Sequence, residues 1–137
     1  MPSEQTGSDR EIAEFVQRWF DLLSEHAPVE ELLPFVADEG LVMAFPERTL
    51  YSHADFVDWY AAVGVAFSDQ SHTVEELTPH EDGTRIDLDV RVVWTAKSSA
   101  DGVVSSFRIN QKWQLERSTP GARPLIVDYR VGEPAAI

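Results

Sequence analysis

The sequence predicts an α+β fold, three N-terminal helices packed on a mainly antiparallel sheet, and three observations carry that prediction. Apolar residues recur with helical period up to about residue 67. From Ser71 onward the period becomes two. Within that second half, Ile86, Leu88, Val90, Val92 and Trp94 alternate with Arg85, Asp87, Asp89 and Arg91, the pattern of an antiparallel strand with one buried face.

The elements follow in order. Ser8 and Glu11 have the spacing of a capping box, and Ile12, Phe15, Val16, Trp19, Phe20, Leu22 and Leu23 then share a face, so helix one is expected over about 9 to 26. Pro28 suits the first position of a shorter helix that turns Val29, Leu32, Leu33 and Val36 inward; Pro34 limits its regularity and Gly40 ends it. Residues 41–45 read as a brief strand, 46–48 as a turn and 49–51 as the return. Ser52 is the expected N-cap of helix three, which runs to about Phe67 with Phe56, Trp59, Tyr60 and Val63 on one side. Residues 79–83 form a turn cluster before the long strand, and Ser98 to Gly102 a hairpin loop. The next strand sets Val103, Ser105, Phe107, Ile109, Gln111, Trp113 and Leu115 on one face, where Gln111 interrupts an apolar row. A last strand covers 125–131, giving the order ααββαββββ. Residues 1–10 are expected to be a flexible tail, 11–133 a single domain and 134–137 a second tail.

Composition narrows the function classes. The 137 residues carry 24 acidic against 11 basic side chains, a net charge of −13, which disfavours nucleic acid and anionic membranes as partners. No apolar stretch approaches the roughly 20 residues that span a bilayer, and the polar N-terminus lacks a leader pattern, so a cytoplasmic protein is expected. The absence of cysteine excludes disulfides, thiolate metal sites and a cysteine nucleophile. Metal-ligand spacings such as His-x-x-x-His and the serine elbow Gly-x-Ser-x-Gly are missing, so neither a metal nor a cofactor is expected.

Four segments, Val16 to Trp19, Phe35 to Glu39, Phe56 to Tyr60 and Ile126 to Val131, occur in the order and at the separations of the nuclear transport factor 2-like superfamily. The chain resembles that superfamily, in particular its polyketide-cyclase-like and ketosteroid-isomerase-like branches, over roughly residues 11 to 133. The resemblance implies a cone: a curved sheet closed by helices around a blind apolar cavity, with homodimers formed through the outer sheet face. It also implies that the familiar isomerase residues are not retained. The isomerase's catalytic carboxylate falls on Phe45, before Pro46; its oxyanion-hole tyrosine falls on Trp19; its second oxyanion donor falls on Asn110 or Gln111, and alternation favours Gln111. Carboxylates that some cyclase-like members use at the end of the last strand have Asp128 and Glu133 as nearest counterparts.

Of the remaining chemistry, His72 opens the first long strand and is the candidate acid or base, with Trp19 N–H or the Gln111 amide to polarise a carbonyl. The bland alternative is a histidine satisfied by its own strand or core. His53 and Tyr51 flank the start of helix three, where they rim a cavity mouth or simply begin a helix; His26 and His80 receive no chemical role. The expected ligand-binding set is Trp19, Met43, Phe45, Tyr51, Trp59, Trp94 and Phe107, with His72 and Gln111 as the catalytic pair. The function expected is binding of a small apolar or cyclic, carbonyl-bearing molecule, with proton-transfer isomerase, cyclase or dehydratase activity. The alternative is a non-catalytic module binding a ligand or protein.

Overall fold

The computed structural model describes residues 2–137, with side chains from Asp9 onward. In chain order it contains α1 (Pro2–Glu25), α2 (Val29–Leu32) continued by a 3₁₀ turn (Leu33–Phe35), β1 (Val42–Ala44), β2 (Thr49–Leu50), α3 (His53–Ala66), β3 (Phe67–Asp82), β4 (Arg85–Ser98), β5 (Val104–Glu116), β6 (Leu125–Val131) and β7 (Ala135–Ala136). The expected three helices on a curved, mainly antiparallel sheet are present, and the sheet is open, with strand order β2-β1-β6-β5-β4-β3.

Helix α1 starts earlier than position 9, at Pro2, a residue type suited to a helix's first turn. The capping side chain expected at Ser8 lies outside the described side chains. Pro28 sits one place before α2, and Pro34 confines the continuation to a 3₁₀ turn. Ser52 caps α3 as expected, its hydroxyl accepting from the Asp55 N–H at 3.2 Å.

Two sheet boundaries differ from expectation. β3 begins directly after α3, four residues before Ser71, and the passage uses Asp69 at φ 51° within a register break between Ser68 and Ser71. His72 is therefore inside β3, paired with Trp94, and does not open the strand. At its other end β3 runs through Pro79 to Asp82, and the turn is Gly83-Thr84. An edge strand has no partner on one side, so it tolerates the N–H that proline lacks.

The last residues also differ: 134–137 were expected as a tail, yet Ala135–Ala136 pair with β5 at Phe107 and Arg108. β6 covers β5 only from Gln111 to Glu116, which leaves backbone groups of the first half of β5 open to another strand. Gly132 permits the crossing, since a Cβ there would lie 2.8 Å from the Asn110 carbonyl oxygen.

The core lies between the helices and one sheet face, where Trp19 and Phe20 of α1 meet Val92, Trp113 and Tyr129. At one end of it Arg117, after β5, is buried and joins three elements: it donates to Glu11 on α1, to Glu81 on β3 and to the Ala122 carbonyl. No helix of the described residues is long and apolar enough to cross a membrane.

Candidate functional site

Helices α1 and α3 and the inner face of β3 to β6 enclose a cavity of about 200 Å³. Its position follows from the packing just described. Helix α1 touches the sheet closely through Trp19 and Phe20, and the space left beside them is lined by Tyr60 and Val63 of α3 and by Val92, Trp94 and Ile109 of the sheet. An apolar cavity of about 150 Å³ accepts a benzene ring, so this one suits a ligand of one or two rings.

Polar side chains interrupt the apolar wall: His26, Glu47, Tyr60 and Gln70 stand in its lining, and His72, Gln111 and Tyr129 form two features. His72, on β3, is half-buried, stacks on Phe20 with ring centroids 5.4 Å apart, and places Nδ1 2.9 Å from Ser24 Oγ. Burial among apolar neighbours lowers its pKa from 6.5 to about 4, so the imidazole is uncharged at neutral pH. When Nδ1–H donates to Ser24, Nε2 keeps its lone pair and is available as a base.

Gln111 and Tyr129 form the second feature. The strand register sets Trp113 opposite Tyr129 across β5 and β6, and Gln111 two residues away on the same face. The Trp113 indole N–H donates to Gln111 Oε1 at 2.9 Å. An indole nitrogen can only donate, so the amide oxygen is fixed toward Trp113 and the amide NH₂ turns to the Tyr129 oxygen, with which Gln111 is hydrogen-bonded. The Trp19 indole N–H reaches the same phenolic oxygen at 3.3 Å. Burial drives the Tyr129 pKa far up, and the two donated bonds oppose that shift without cancelling it.

Of the residues expected in the site, His72, Gln111, Phe45, Trp59 and Trp94 line the cavity. Phe45 and Trp59 stack at 4.1 Å, and Trp94 is held by a bond from its indole N–H to Gln70 Oε1. Trp19 and Met43 are fully buried one layer behind the wall and do not line it. Phe107 stacks on Trp94 beyond the end of the cavity and lines a neighbouring depression instead. Tyr51 is 62% exposed and away from the site: Leu50 before it points into the core, so alternation turns Tyr51 outward. His53 bonds the Val36 carbonyl at 2.7 Å and begins a helix, as its plainer reading had it. Asn110, Asp128 and Glu133 do not line the cavity. Among the described residues, no three histidine, aspartate or glutamate side chains gather to hold a metal ion.

Sequence reasoning missed Tyr129, Ser24 and His26. His26 stands at the cavity mouth with φ 49° and stacks on Tyr60 at 4.2 Å, 11° from parallel. Tyr60 is itself engaged, donating to the Ala27 carbonyl at 2.6 Å, and burial with the nearby Glu31 carboxylate pushes its pKa up to about 12. Gly64 of α3 gives the His26 ring its room: a Cβ there would collide with His26 Nε2. Gly64→Ala is expected to change stability by less than about 1 kcal/mol, since the helix gains roughly 1 kcal/mol while the stacked pair is lost. The displaced ring would nonetheless open the mouth. Chemical denaturation checks the first part, and the His26 ring resonances the second.

With the geometry described, comparison with solved structures places the fold. A nuclear transport factor 2-like superfamily protein from Salmonella enterica serovar Typhimurium superposes with a TM-score of 0.84 over 96% of this chain and 94% of that one, at 16% identity. The chain has the nuclear transport factor 2-like fold. Hexachlorocyclohexane dehydrochlorinase LinA-type3 from Novosphingobium barchaimii shares that fold with a TM-score of 0.82 over 100% and 94% of the two chains, at 9% identity. A ketosteroid isomerase-like protein from Erwinia carotovora gives 0.73 over 92% and 93%, at 15% identity. No protein-family model and no curated protein matches the sequence. Nuclear transport factor 2-like neighbours thus include proteins named for isomerase and dehydrochlorinase chemistry.

Proposed function

We propose that the cavity binds a small, flat, neutral carbonyl compound and that His72 accepts a proton from the carbon beside the carbonyl, the first step of an isomerisation, cyclisation or dehydration. The observation that carries this reading is an imidazole stacked on Phe20 and bonded through Nδ1 to Ser24 in a largely apolar pocket, where burial keeps it uncharged. Neutrality of the ligand follows from the lining, which among the described residues includes no lysine or arginine and one carboxylate, Glu47, held by the Trp59 indole at 3.4 Å. Apolar walls strengthen the attraction between the imidazolium and enolate that proton transfer would create. The neighbours' isomerase and dehydrochlorinase names are consistent with proton removal from carbon. The reading includes a cytoplasmic homodimer formed through the outer sheet face, whose exposed charges, such as Glu75 with Arg108 at 2.7 Å and Asp89 with Lys112 at 2.8 Å, are paired and so cheaper to cover.

Exchange of the α-hydrogens of 2-tetralone for deuterium in D₂O, followed by proton NMR, tests the reading. The protein is expected to accelerate exchange above buffer, with a rate that falls as acid protonates His72 below about pH 4. His72→Leu is expected to lower the rate by on the order of 10²-fold or more with little change in KM. A wild-type rate equal to buffer removes the catalytic reading. One observation favours a non-catalytic binding module, namely that a base of pKa about 4 is weak. That module would bind 2-tetralone without exchange.

A further inference from the structure

We propose that Tyr129 is the hydrogen-bond anchor of the cavity, its phenolic O–H donating to the carbonyl oxygen of the bound compound, with Trp19 and Gln111 as positioning residues. The inference rests on the reading of the cavity as a ligand site. It changes the expectation that Trp19 would itself polarise a carbonyl, because its single N–H is directed at the Tyr129 oxygen, and it gives Gln111 a positioning role through one of its two amide N–H groups.

A hydroxyl offers one donor and two acceptor sites. The Trp19 indole occupies one lone pair of Tyr129, and the Gln111 amide, held in orientation by the Trp113 indole, faces the other. What remains is the O–H itself. Tyr129 is 3% exposed, and among the described residues its hydroxyl has these two donors and no acceptor. A buried donor without an acceptor is costly, and the open space beside it is the cavity that Tyr129 lines. The arrangement selects by chemistry: an occupant that presents an acceptor satisfies the O–H, and a hydrocarbon of the same shape leaves it unmet. Two bonds donated into the phenolic oxygen also prevent Tyr129 from accepting, which disfavours a ligand whose only polar group is a donor.

Binding of 2-tetralone and of tetralin, the same skeleton without the carbonyl, is to be measured by quenching of tryptophan fluorescence. The infrared carbonyl stretch of bound 2-tetralone is to be recorded alongside. The wild-type protein is expected to bind 2-tetralone about tenfold more tightly than tetralin and to shift the stretch to lower frequency than in cyclohexane. Tyr129→Phe is expected to abolish both the preference and the shift, while His72→Leu keeps the shift. A shift retained by Tyr129→Phe, or lost in His72→Leu, overturns the assignment to Tyr129. Should Tyr129→Phe fail to fold, the wild-type spectrum decides: an unshifted carbonyl in a protein that binds both probes equally overturns the anchor and leaves the cavity as a binding site. Failure to bind either probe overturns the anchor together with the ligand-site reading.

Discussion

Replacing Trp113 by alanine is expected to lower the stability of the protein by about 4 kcal/mol, the range for deleting a fully buried aromatic side chain. Trp113 is 1% exposed at the centre of the sheet, where its ring meets Tyr129 at 4.7 Å, Phe20 at 5.6 Å and Trp19 at 6.4 Å. Alanine removes all three contacts, enlarges the cavity and leaves Gln111 Oε1 without its donor. Urea unfolding should show a lower midpoint with an unchanged slope. Trp113→Phe keeps most of the packing and loses the N–H, so a cost of about 1 to 2 kcal/mol is expected. A loss below about 2 kcal/mol for the alanine variant would mean that the neighbouring rings collapse into the space, contrary to the packing described.

Stability is also expected to fall by about 3 kcal/mol on acidification from pH 6.5 to pH 4 through His72 alone. The sign follows from proton uptake. In the unfolded chain the imidazole protonates near 6.5, whereas burial holds the native group neutral down to about 4. Between those values the unfolded state binds a proton that the native state refuses, so stability is complete above pH 6.5 and drains away as pH falls. At about 1.4 kcal/mol per pH unit, a displacement from 6.5 to about 4 gives that figure. His72→Phe places a second ring against Phe20 and carries no proton. The difference between the two stability profiles isolates His72 from the carboxylates that titrate in both proteins. Parallel profiles from pH 7 to 4 would show that the native imidazole is hydrated and not withdrawn from water.

The regular parts of the fold were legible because each strand carries its own alternation. Ile86 to Trp94 declared a buried face without reference to any partner, and the same counting singled out Gln111 as a polar side chain on the inner side. His72 was legible as a candidate because few residue types can accept a proton at neutral pH. Tyr129 was not legible: it became a site residue only through the pairing of β5 with β6, which sets it opposite Trp113, and through a hydrogen bond from Trp19 at the other end of the chain. His26 was obscured for a different reason, since a positive φ at the end of α1 turns its ring back over Tyr60. Tyr51 was misplaced because a two-residue strand gives too few alternations to fix which side faces in. The closing strand β7 has two alanines and no pattern at all; only the open edge of β5 recruits it.

The parallel contact of β1 with β6 joins residues 42–44 to residues 128–130. Until β6 has been synthesised, the hairpin of β1 and β2 has no third strand beside it, and strands of three and two residues do not hold together alone. Helix α1 can pack on β3 and β5 earlier, through Phe20 against His72 and Trp113, but the β1–β2 hairpin waits for β6. Such long-range pairing makes for slow folding that is complete only once the whole polypeptide is available. A chain cut before Leu125 would therefore lose more than the seven residues of β6: it would lose the strand that carries β1 and β2 into the sheet, together with Tyr129 and the bond it accepts from Trp19.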